Sequence, residues 1–74
     1  MTPLARLELS EQVIRGWEAI GRPGGPILDN MRLIGAELAE LRKVVAAAPE
    51  LRERVDAVTE RYRVMALKMK LGLN

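Results

Sequence analysis

Between Ile27 and Ala48 the apolar residues fall at Ile27, Met31, Ile34, Leu38, Leu41, Val45 and Ala48, spaced four and three without a miss. That period puts all seven on one stripe of an α-helix. Asp29, Asn30, Arg32, Glu37, Glu40, Arg42 and Lys43 make most of the remaining surface polar. An amphipathic helix draws most of its stability from burying its stripe, so the rest of the chain has to supply a cover.

Size limits how that cover is built. A chain of 74 residues is one domain, and a single core of this size supplies only about 3–5 kcal/mol. With no Cys and no His, disulfides and the common zinc sites are excluded. Self-association or tight helix packing is left as the source of stability. The charge balance, 12 basic against 10 acidic residues, is too even to argue for nucleic acid. No apolar run approaches the roughly 18 residues of a membrane span, and none has the pattern of a secretory signal. The expected location is the cytoplasm, with no membrane partner.

Ahead of the central stripe, Thr2-Pro3 can open a helix, with Thr2 as N-cap and Pro3 in the first position. Leu7, Ile14 and Trp17 then share a face, flanked by Val13 and Ile20. Ser10 falls where that face should be apolar. The pattern predicts one helix over about 3–20; the competing reading is a short extended arm, with Ser10 capping a helix from Glu11 to Ile20. Gly21-Arg22-Pro23-Gly24-Gly25-Pro26 reads as a plain turn over 21–26, since no strand precedes its glycines and no Gly-Lys-Ser/Thr follows.

Beyond the central helix (about 26–47), Pro49 coincides with a break in phase, and the stripe restarts at Leu51, Val55, Val58, Tyr62, Met65 and Met69. A turn over about 47–50 and a helix over about 50–71 follow. The fold expected is all-α, three helices in one domain over 1–74. The last two form a long antiparallel hairpin, assembled into a dimeric bundle; one long kinked helix is the alternative. The charged pairs Glu11 to Arg15, Glu18 to Arg22 and Glu50 to Arg54 have the spacing of local helix-stabilising contacts.

Only acids offer catalytic material. Glu37 and Glu40 form an E-x-x-E pair on the central helix, and Glu53 and Asp56 an E-x-x-D pair on the last. This arrangement is similar to the magnesium-binding pattern of the all-α nucleoside triphosphate pyrophosphohydrolases, the MazG-like proteins. The resemblance covers the last two helices and rests on four residues. It implies magnesium and substrate phosphates held by acid pairs on neighbouring helices of a dimeric bundle. Where that family carries a further Glu ahead of the first pair, this chain has Leu33-Ile34-Gly35-Ala36. Glu53 and Asp56 also lie roughly opposite their own helix's stripe, so they would meet Glu37 only across a second subunit.

Other side chains point to association. Arg61, Arg63, Lys68 and Lys70 form a basic patch that complements the last helix's C-terminal dipole. Lacking a recognisable module, that patch makes a small dimeric nucleic-acid-binding regulator the third reading. Trp17 and Tyr62 are the only aromatics, and both sit on core faces. The last helix also carries a second apolar stripe, Val64, Leu67 and Leu71, about 200° from the first, continuing back through Glu60, Asp56 and Glu53. One hairpin partner cannot bury two opposed faces. The expected function is therefore a small homo-oligomeric protein–protein interaction module, an adaptor, co-chaperone, inhibitor or assembly component. Its expected interface is Val64, Leu67, Leu71 and Trp17, and its partners are itself and another protein. The chain reads as a non-enzyme with no cofactor; magnesium enters only with the pyrophosphohydrolase alternative.

Overall fold

The computed structural model describes residues 2–21 and 27–71, and within the latter the side chains of residues 29–68. Residues 22–26 of the turn expected over 21–26, with Arg22 as the expected partner of Glu18, lie outside the described residues, as do the side chains of Ile27, Met69, Lys70 and Leu71. The fold is all-helical: α1 spans Pro3–Ile20, α2 spans Ile27–Val44 and α3 spans Pro49–Leu71, and there is no strand among the described residues. Each helix packs against the other two.

Local chemistry sets the helix ends. Thr2 is extended, and its Oγ1 accepts from the Ala5 N–H at 3.1 Å, while Pro3 sits in the first turn, where its missing N–H costs nothing. At the other end of α1, Gly21 takes φ 89°, a left-handed conformation that favours glycine, and its N–H donates to the Trp17 carbonyl at 2.8 Å. Ser10 neither breaks nor caps α1. It lies inside a continuous helix and is buried, the small member of a Leu7, Ser10, Ile14, Trp17 seam.

Helix α2 stops at Val44, earlier than the stripe alone suggests. Continuing the helix would require Pro49 to donate to the Val45 carbonyl, and proline has no N–H. Instead Ala48 N–H closes on that carbonyl at 2.9 Å, and the Ala48 carbonyl accepts from Arg52 N–H to start α3. The Arg52 guanidinium reaches back to the Ala46 carbonyl at 3.4 Å, satisfying one of the acceptors that the end of α2 leaves open.

The core is assembled from all three stripes. Leu7, Ile14 and Trp17 of α1, Met31, Leu38 and Leu41 of α2 with Val45, and Val55, Val58 and Met65 of α3 form one buried cluster. Ile34, Leu51, Tyr62 and Ala66 pack on its edge. Each fully buried aliphatic side chain contributes about 1.5–3 kcal/mol. Tyr62 adds a polar contact, its hydroxyl donating to the Met31 carbonyl at 2.9 Å. In an α-helix that carbonyl also accepts from the N–H four residues on, at Gly35. The phenol approaches this point because Gly35 has no side chain: a Cβ there would lie 2.6 Å from the Tyr62 oxygen.

Three arginine forks tie the helices together. Arg6 holds both Glu37 oxygens, at 2.9 and 2.5 Å, joining α1 to α2. Arg54 holds Glu11 at 3.3 and 2.6 Å, and Arg61 holds Glu18 at 3.1 and 2.5 Å, joining α1 to α3. Along both helices the second of these pairs lies one heptad beyond the first. The local contacts expected for Glu11 with Arg15 and for Glu50 with Arg54 give way to this arrangement. A planar fork gains more from two parallel bonds to a carboxylate on the next helix than from one loose contact along its own.

Candidate interaction faces

The described part of the α3 stripe opposite the core is open. Val64 and Leu67 are 45% and 55% exposed, and with Glu60 and Arg63 they line a shallow hollow of about 280 Å³. Neither α1 nor α2 covers them. Trp17, grouped with them on sequence, lies elsewhere: it is buried in the core, with one edge in a cleft of about 260 Å³ between α1 and α2. Val13, Asn30, Leu33 and Ile34 form the rest of that cleft.

Around this cleft lies a second apolar face, which the sequence reading did not single out. On α1, Leu9, Val13, Gly16 and Ile20 repeat at four, three and four residues, and Leu9 and Ile20 are exposed. On α2, Leu33 is 68% exposed, the most of any large apolar side chain among the described residues, and Val44 is exposed on the same side eleven residues on. The signal was a second stripe on α1 beside the core stripe, with Gly16 interrupting its apolar run. The α1 part of this face carries no charge apart from Arg6, which is bound to Glu37.

Within one chain the four acids of the magnesium pattern stand apart, as expected for a pattern that would close only across a second subunit. Glu37 is taken at both oxygens by Arg6, which holds its carboxyl below the usual carboxylate range through the hydrogen bond, against a smaller opposing effect of burial. Asp56 faces Arg42 at 3.6 Å, and Glu40 and Glu53 are exposed. Among the described residues no three acids stand close enough to hold a metal ion. Within one chain, Glu37 could join such a site only by giving up Arg6.

The basic patch is divided in the same way. Arg61 is spent on Glu18, a pairing that raises its pKa further, as Glu11 does for Arg54. Arg63 stands 3.8 Å from Glu60 one turn back, and Lys68 is exposed. Among the described residues, Arg61, Arg63 and Lys68 are thus separate surface cations, two of them beside carboxylates. Among the described residues no helix is long and apolar enough to cross a membrane. Comparison with family models, curated proteins and solved structures finds no match.

Proposed function

We propose that the chain is a small homodimeric interaction module of the cytoplasm, a three-helix bundle whose α2 and α3 form an antiparallel hairpin. The order of contacts supports the hairpin: going forward along α2 from Met31 to Arg42, the partners on α3 go back from Tyr62 to Asp56. The spacing of Glu11 with Arg54 and Glu18 with Arg61 supports α1 running alongside α3 in the same direction. A short bifunctional thiol crosslinker should therefore join Arg42→Cys and Asp56→Cys within a single chain.

The interaction reading rests on one observation, the exposure of large aliphatic side chains on two separate faces: Leu9, Ile20, Leu33 and Val44 on α1 and α2, and Val64 and Leu67 on α3. A bundle this small gains from burying every aliphatic residue it can, and surplus apolar surface in two patches marks contacts with other chains. The reading invokes no cofactor. Its test is capture of partners from the native source by the wild type, Leu67→Glu and Arg15→Gln. A partner held by the wild type and Arg15→Gln but lost with Leu67→Glu supports a docking role for α3. Equal capture by the wild type and both variants refutes it.

A further inference from the structure

The outward side of α2 has a charge order that reads the same, with opposite sign, from either end. Asp29, Arg32, Ala36, Glu40 and Lys43 are spaced three, four, four and three, and all five are exposed. At about 100° per residue they fall on one stripe, roughly opposite the buried Leu38, Leu41 and Val45. Ala36 is the centre. Turned end over end about Ala36, the stripe sets Asp29 against Lys43, Arg32 against Glu40, and Ala36 against itself. Among the described residues none of the four charged side chains has an ion-pair partner within the chain, Glu40 adding only its longer-range field to Arg6. Their natural i,i+3 neighbours, Asp29 with Arg32 and Glu40 with Lys43, are also left unmade.

We propose that this face binds a second copy of the chain across a two-fold axis at Ala36, with α2 antiparallel to its mate. An isologous contact requires a surface complementary to itself, and the sign-reversed palindrome meets that requirement with four ion pairs. Alanine at the axis lets the two helix backbones approach closely. Leu33, on the α1 flank of the stripe, is covered in the same contact. The α3 face, with Val64 and Leu67, is on another side of the bundle and stays free for a different protein. This assignment rests on the interaction-module reading and names the self-contact within it.

Charge-swapped full-length chains test the proposal by sedimentation equilibrium. Arg32→Glu with Lys43→Glu makes the stripe wholly acidic, and Asp29→Lys with Glu40→Lys makes it wholly basic. The wild type is expected at twice 8.3 kDa. Each swapped chain alone should weaken the dimer by at least about tenfold, and a one-to-one mixture should restore the doubled mass as a heterodimer. A wild type that stays monomeric at about 100 µM, far above a specific dimer's dissociation constant, overturns the proposal. So do swapped chains that dimerise alone, or a mixture that does not pair. Should the double changes reduce helicity, Ala36→Cys gives an independent measurement. Oxidation should link it to its own copy while Arg15→Cys stays unlinked; failure to link overturns the axis. Leu67→Glu must leave the dimer intact, and its loss would move the self-contact to α3. A monomeric wild type that still captures a partner through Leu67 would end this proposal and leave the module reading in place.

Discussion

Replacing Gly35 by alanine should destabilise the bundle, although glycine is the poorer helix former. In an unobstructed helix the change would be worth about 1 kcal/mol in the protein's favour. Here the new Cβ would stand 2.6 Å from the Tyr62 oxygen and 3.2 Å from Cζ, so the ring must move. Moving it breaks the hydroxyl's bond to the Met31 carbonyl, about 1 kcal/mol, and disturbs packing at about 1–3 kcal/mol. The net expectation is a loss of about 1–3 kcal/mol, which for a domain of this size lowers the melting temperature by several degrees. Tyr62→Phe supplies the control. Without the hydroxyl the closest clash disappears, so adding Gly35→Ala to the Tyr62→Phe variant should be neutral or stabilising by up to about 1 kcal/mol. Urea unfolding of the four proteins of this cycle measures the coupling, which should reach at least about 1 kcal/mol. If Gly35→Ala stabilises both backgrounds equally, the phenol does not hold its place against Gly35 and the reasoning fails.

Three further changes probe other contacts. Thr59 has a buried hydroxyl with no hydrogen-bond partner among the described residues, so Thr59→Val should be neutral or raise stability by up to about 1–2 kcal/mol, read as a higher melting temperature. Thr2→Ala removes the N-cap of α1 and should cost about 0.5–2 kcal/mol, read as a lower urea midpoint. Glu37 carries a carboxyl pKa lowered by Arg6, so its stabilising effect is complete above the unfolded carboxylate value of about 4.3 and is lost as pH falls through the lower folded value. Glu37→Gln should therefore lower stability at neutral pH and shrink the loss between neutral and acid pH; an unchanged pH profile would remove the Arg6 fork from the account.

The helices were legible because each stripe is a property of one segment. Leu38 and Leu41 face inward for the same reason that Val55 and Val58 do, and period alone reveals it. The break at Pro49 was legible too, though its reach was not, because the missing donor is felt four residues earlier, at the Val45 carbonyl. What period could not reveal was pairing between segments. Glu11 has Arg15 within local reach and binds Arg54 instead, a choice set by the register of α1 on α3. The meeting of Gly35 with Tyr62 belongs to the same class. In the sequence Gly35 is one small residue inside a helical run, and only the packed neighbour explains why a side chain is excluded there.

The exposed faces follow from how charge is distributed over the three helices. On α1, Glu11 and Glu18 are drawn to α3, and Arg6 to α2, so the ions flank the core seam and close the joints between helices. The outer stripe of α1 is left almost uncharged. On α2 the reverse holds: Glu37 and Arg42 serve the joints, while Asp29, Arg32, Glu40 and Lys43 have no ion-pair partner among the described residues and stand on the outer surface. Forks that cross between helices fix how the bundle packs, since moving either partner breaks two bonds at once. Charges left on an outer stripe do little for the isolated fold, because exposed single charges add almost nothing to stability. Their ordered alternation around a small central residue acquires a physical role only when another surface faces it. The residues that hold the bundle together and those that would select its mate are thus separate sets, and substitutions on the α2 stripe should change association while leaving the unfolding transition of the monomer where it was.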